Sequence, residues 1–167
     1  MSLKDEIDKL TRAEREHLEQ RDAKEYEFDE LQKVRFLPLR AFLEQVIKAV
    51  DPAYLRVEFK DHQATIEVGK HWDKGFEVDI RWCIEPMSTA RPEAEAGEAL
   101  FEAQPGFSTE EVETFRLPEF KQFEHTYTFE TEEEVVQHIL KRMAEYIAHY
   151  QYIEETTRNP NSNDAVS

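Results

Sequence analysis

The sequence predicts a two-layer α+β domain. It has N-terminal helices, a mainly antiparallel sheet of about five to six strands, and a long C-terminal helix packed on one sheet face. Three observations carry this. Apolar and polar residues alternate through three consecutive runs between residues 54 and 85, the pattern of strands with one face buried and one in water. Two flanking segments carry apolar residues at helical spacing, and the second opens on a capping box. Strands that alternate need helices on one face only, so these two segments are their natural cover.

Residues 3–34 contain almost no helix breakers. Leu3, Ile7 and Leu10 keep a stripe, but the same heptad positions then fall on Glu14, His17, Arg21 and Lys24, so a sustained coiled-coil seam is not expected. Residues 1–34 read as a charged helical arm, 35–157 as the globular domain, and 158–167 as a disordered polar tail. Pro38 is expected to stop the first helix and begin the next. Leu39, Phe42, Leu43, Val46, Ile47 and Val50 mark one face of that second helix, which Asp51-Pro52 ends.

In the first strand Leu55, Val57 and Phe59 face inward, and in the second Ala64, Ile66 and Val68. In the third, over 75–85, Phe76, Val78, Ile80, Trp82 and Ile84 share one face. Asp61-His62 and Asp73-Lys74-Gly75 are the expected turns. Residues 86–97 read as a loop. Two further strands are expected near 99–103 and 112–117, separated by Gln104-Pro105-Gly106, with a short helical turn at 108–111 as the alternative. Phe123, His125, Tyr127 and Phe129 mark a last strand. The final helix follows, capped by Thr131 and Glu134 and striped by Val136, Ile139, Leu140, Met143, Ile147 and Tyr150.

The chain carries a net −16, and the stretch from Pro92 to Glu134 holds −11 of it: 13 glutamates against Arg116 and Lys121. A field of that sign argues against nucleic acid or an anionic membrane surface and permits a basic protein or peptide as partner. Nothing in the N-terminal Met-Ser-Leu-Lys-Asp-Glu resembles a secretory signal, and no run is long and apolar enough to span a membrane. One cysteine, Cys83, precludes an internal disulfide. A cytoplasmic protein is the expectation.

No motif names a reaction. There is no Gly-rich phosphate loop, no Gly-x-Ser-x-Gly and no His-Glu-x-x-His among the 4 glycines and 6 histidines. The His138–His149 and His62–His71 pairs are too far apart to share an ion, and the glutamates lack the close spacing of a calcium loop, so no metal or other cofactor is expected. Cys83, between Arg81 and Glu85, lacks an evident base. Catalysis is not favoured.

The partner-binding candidates are Glu102, Glu110, Glu111, Glu113 and Glu119, which neither helix capping nor the 86–97 loop accounts for. Trp72, beside a tight turn, joins them. The leading expectation is thus a non-catalytic acidic interaction protein, an adaptor, chaperone-like or inhibitor-like module. The alternative is a small-ligand binder or enzyme with a pocket between sheet and helices, lined by Trp72, Trp82, Tyr127 and His125. A second alternative is a nucleic-acid mimic with glutamates in a phosphate-like row. The Leu3–Leu10 stripe and the outer sheet face are candidate surfaces for a homodimer.

Overall fold

A computed structural model describes residues 2–158. The tail expected over 158–167 lies outside the described residues from position 159 onward. The α+β architecture is as the sequence predicts: one long helix, a five-stranded antiparallel sheet, and a second helix against the same sheet face. The sheet is a plain meander, its strands in chain order. No described helix is long and apolar enough to cross a membrane.

Helix α1 runs unbroken over Leu3–Ala49, about 70 Å at 1.5 Å per residue. Ser2 and Asp5 form a capping box at its start. The break expected at Pro38 does not occur. Proline removes one N–H and crowds the carbonyl four residues back, here that of Val34. Val34 and Pro38 are both exposed, so the lost bond faces water and the buried side of the helix is untouched. That buried side, Phe36, Leu39, Leu43 and Val46, forms one half of the core roof.

The strands are β1 (Leu55–Lys60), β2 (Gln63–Trp72), β3 (Gly75–Ala90), β4 (Phe101–Phe115) and β5 (Lys121–Phe129). The second helix, α2, spans Glu132–Arg158. Thr131 accepts from the Glu134 N–H at 3.3 Å, and the Glu134 carboxylate accepts from the Glu130 N–H at 3.1 Å. Three glutamates in the first turn meet the positive end of the helix dipole. Ala64, Ile66, Val68, Ile80, Trp82, Ile84 and Phe107 rise from the sheet to meet α1 and to meet Val135, Ile139 and Met143 of α2.

Two irregularities in the sheet correct the sequence reading. The first lies between β2 and β3. Val68 pairs with Ile80 and Gly69 with Val78, so Asp79 is an extra residue with no partner. Beyond this bulge the alternation changes face: Val78 shares a surface hollow with Glu67, Arg81 and Val112, on the side away from the helices. Phe76 lies under the Arg56 guanidinium on that same side. Phe76 and Val78 therefore do not share a face with Ile80, Trp82 and Ile84. Asp79 turns inward instead, as a bulge allows. A side chain on Gly69 would meet the Glu77 carbonyl, so glycine is required at this crossing.

The second irregularity lies between β3 and β4. Pro86 pairs with Phe107, but the next pair is Ser88 with Ala103, leaving Met87 opposite Gln104, Pro105 and Gly106. The expected loop after Pro86 is strand as far as Ala90, and the two strands expected around Gln104-Pro105-Gly106 are one. Proline is accommodated because the ladder is already interrupted there. Gly106 sits at φ +89°, with the Phe129 carbonyl where a Cβ would be.

The carbonyls freed at this kink are gathered by α1. Arg35 donates to those of Met87 (3.2 Å), Gly106 (3.0 Å) and Gln104, and to the Gln32 side chain at 2.6 Å. Buried Gln32 in turn donates to the Pro86 carbonyl at 3.2 Å. Burial lowers the Arg35 pKa. Its charge is met by carbonyl dipoles, with no carboxylate among its described partners.

Past the kink, the β3–β4 arm lies along the middle of α1. Phe101 stacks on Phe28, and Arg21 donates to the carbonyls of Glu98 (2.9 Å) and Glu95 (3.4 Å). Leu3, Ile7 and Leu10, nearer the N-terminus, remain exposed.

Arg35→Leu strands three main-chain carbonyls without their donor. Its expected cost is about 2–3 kcal/mol of unfolding free energy, read from urea denaturation followed by circular dichroism.

Candidate functional site

The underside of α2 is unusually polar for a core-facing helix surface. His138, Arg142, Tyr146 and Tyr150 recur every four residues and so share one face. Each finds a carboxylate on the sheet. Glu111 of β4 is only 3% exposed and accepts from Trp82 Nε1 at 2.8 Å. His138 Nε2 lies 3.0 Å and Arg142 Nε 3.6 Å from the same oxygen. Glu113, two residues along β4, takes Arg142 at 2.6 Å and the Tyr146 hydroxyl at 2.5 Å. Asp79, swung inward by the bulge, takes the Tyr150 hydroxyl at 2.5 Å and Arg116 at 2.6 Å. Arg116 also reaches Glu77 at 3.4 Å and donates to the Val78 carbonyl at 2.7 Å.

Two phenols are strongly perturbed by this arrangement. Burial pushes Tyr146 well above the usual tyrosine range, helped by its hydrogen bond to Glu113. Burial does the same for Tyr150, with Asp79 as the second cause. Tyr127, beside the His138 ring at 4.5 Å, is raised by burial and then by the Glu111 charge. Burial pulls Arg142 down, but Glu113, Glu145 and Glu111 more than reverse it.

The far end of this polar layer opens into a groove. Its larger part, about 430 Å³, is walled by Tyr54, Trp72, Tyr150, Ile153 and the Ala53 and Thr157 side chains, with Lys70 and Glu154 at its edges. A second part of about 310 Å³ shares Lys70, Tyr150 and Ile153 and extends past Asp79 and Arg116 to Phe115, Leu117 and His149. Tyr54 stacks on Tyr150 with ring centroids 5.6 Å apart, and its hydroxyl donates to Glu154 at 3.0 Å. Two of the three aromatic walls, Tyr54 and Tyr150, thus have their hydroxyls hydrogen-bonded to carboxylates. Trp72 is 51% exposed, with Lys74 Nζ 5.7 Å from its ring centroid.

Of the residues singled out in the sequence, Glu111 and Glu113 are brought together around Arg142 and the others lie apart. Glu111 and Glu113 face inward and are engaged by α2. Glu110 faces the opposite side of β4 and is exposed. Glu102 stands on the arm beside α1, paired across the sheet with Thr89. Glu119 is at the β4–β5 turn, 3.2 Å from Lys121. Trp72 alone of the six lines the groove. Of the aromatic set expected to line a pocket, Trp82 is sealed in the core, and Tyr127 and His125 pack on each other away from the groove walls.

Sequence reasoning missed Tyr54, Lys70, Asp79 and Ile153. The available signal was the Tyr146–Tyr150 repeat: buried tyrosines need acceptors, so carboxylates had to face them. Among the described residues no three of His, Cys, Asp and Glu converge as metal ligands. No protein-family model, curated protein or solved structure matches this chain.

A phenol raised above its unfolded value of 10.0 contributes stability that is complete below that pH and lost as pH rises toward the folded value. Alkaline titration followed by tyrosinate absorbance should therefore show part of the amplitude deferred until the protein unfolds. Tyr146→Phe and Tyr150→Phe should each remove one deferred tyrosine, and loss of amplitude from the early phase instead would contradict the assignment.

Proposed function

We propose that this is a non-catalytic binding protein whose site is the groove between the C-terminal half of α2 and the β2–β4 end of the sheet. The observation that carries the reading is an apolar recess of about 430 Å³ whose two tyrosine walls are held in place by bonds to Asp79 and Glu154. That volume lies in the roughly 300–1,000 Å³ range of small-molecule sites. Tyrosine walls fixed in advance by hydrogen bonds reduce the entropic cost of binding.

Binding is favoured over catalysis by the chemistry of the lining. A phenol shifted upward is neither a base nor an effective acid near neutral pH. The Asp79 and Glu77 carboxylates are engaged by Arg116. The basic protein or peptide suggested by charge has less support. Glu111 and Glu113 are consumed internally, and Glu102, Glu110 and Glu119 lie on three separate surfaces.

Self-association is a second reading with its own observation. Leu3, Ile7 and Leu10 form an exposed stripe, at 73%, 54% and 70%, on a segment of α1 that projects beyond the β3–β4 arm.

The neutral fluorescent ligand N-phenyl-1-naphthylamine should bind saturably. Ile153→Glu should weaken it by about tenfold or more, since a charge replaces apolar wall. Leu140→Glu, on α2 and equally exposed but outside the groove, should leave binding unchanged. Equal loss in both variants, or none in either, would remove the groove as the site. For self-association, sedimentation should give a dimer that Ile7→Asp converts to monomer. A wild-type protein that remains monomeric at high micromolar concentration ends that reading.

A further inference from the structure

Five charged side chains line the two parts of the groove: Lys70, Glu77, Asp79, Arg116 and Glu154. Four of them have partners. Asp79 and Glu77 hold Arg116, Asp79 also accepts from Tyr150, and Glu154 accepts from Tyr54. Lys70 makes no hydrogen bond or ion pair among the described residues. Glu77 is its cross-strand neighbour, but that carboxylate is turned to Arg116. Lys70 is half-buried and stands where the two parts of the groove meet, with Trp72, Tyr150 and Ile153 around it.

An ammonium beside a largely apolar recess, with no ion-pair partner among the described residues, is free to take an anionic one. A carboxylate that arrives with an apolar body suits both ammonium and recess. The head forms a charge-assisted bond to Nζ, and the body covers the aromatic walls. Lys74, over the Trp72 ring, adds a second cation at the rim.

We propose that the ligand of this groove is an amphipathic carboxylate, its head on Lys70 and its apolar body against Tyr54, Trp72 and Ile153. The assignment rests on the groove being the binding site and adds the sign and position of the ligand's charge. A cationic ligand would meet Lys70 with like charge. A neutral one would leave Lys70 as it stands.

Three probes with a ten-carbon chain separate these cases: decanoate, decanol and decyltrimethylammonium, all below their micellar concentrations. Binding can be followed by Trp72 fluorescence, with Trp72→Phe separating its signal from that of Trp82, or by calorimetry. Decanoate should bind about tenfold more tightly than decanol, the size expected for one charge-assisted bond. Decyltrimethylammonium should bind more weakly than either. Lys70→Met keeps the apolar stem and should bring decanoate to the level of decanol while leaving decanol unchanged. Lys70→Arg should restore the preference. Unchanged urea midpoints in both variants would show that the fold is intact.

Equal binding of decanoate and decanol to the wild type would overturn the carboxylate assignment while leaving the groove as a site. Preference for decanoate that survives in Lys70→Met would overturn the role of Lys70. Failure of all three probes to bind would overturn the groove reading and this inference with it.

Discussion

The fold turns on a match of spacing between α2 and β4. Four residues along a helix advance ~6 Å, and two residues along a strand advance ~6.6–6.8 Å. His138, Arg142 and Tyr146 therefore stay level with Glu111 and Glu113 as helix and strand run in the same direction. The next step, Tyr150, has no β4 carboxylate to meet, because Phe115 occupies that place on the inner face. The acceptor comes from β3 instead. The bulge that leaves Asp79 unpaired also points it inward, so the ladder of partners continues for one more turn of α2. One extra residue in β3 extends the polar layer to the edge of the groove.

Such a layer is not a large net source of stability. Taking Glu111 and Arg142 out of water costs several kcal/mol per ion, and their attraction only roughly offsets it. Its effect is positional. A purely apolar underside would let α2 slide or rotate on the sheet at little cost. A carboxylate 3% exposed with three donors around it does not permit that, since any shift strands a buried charge. The position of Tyr150 and Ile153, and so the groove wall, follows from bonds made two and three helical turns away. The Arg35 junction is the counterpart under α1. It gathers carbonyls at the β3–β4 kink and so holds the helix in register with the sheet.

Much of this architecture is legible in the sequence, and the illegible parts have identifiable causes. The Thr131–Glu134 cap and the stripe of α2 are local signals, and local signals are what one chain displays. The alternation through β1 and β2 is also local. The bulge at Asp79 is not, because residues 75–85 alternate without a flaw and the slip is accommodated by Gly69 on the neighbouring strand. Pro38 misleads because proline breaks a helix by a cost that depends on where its missing bond points, which the sequence does not display. Glu111 and Val112 invert the usual rule: the glutamate is buried facing inward and the valine is half-buried on the outer face. His138 and Arg142 on α2, with Trp82 of β3, explain that choice, and all lie more than twenty positions away.

The acidic stretch takes on a different meaning once its residues are placed. Glu132, Glu133 and Glu134 serve the start of α2, Glu111 and Glu113 hold its underside, and Glu98 pairs with Arg91 at 2.5 Å on the arm. The charge that first suggests a basic partner is in large part structural, spent within the molecule. The net −16 is also a weak guide to what enters the groove. Salt screens charges beyond ~8 Å at physiological ionic strength, so the field at Lys70 is set by the groups lining the groove. There Arg116 carries one positive charge against the two carboxylates of Glu77 and Asp79, and Glu154 keeps its charge while accepting from the neutral Tyr54 hydroxyl, so Lys70 is the one cation of the lining without an ion-pair partner among the described residues. A preference for an anion therefore rests on direct contact with the Lys70 ammonium, because neither the lining as a whole nor the net −16 supplies a positive field.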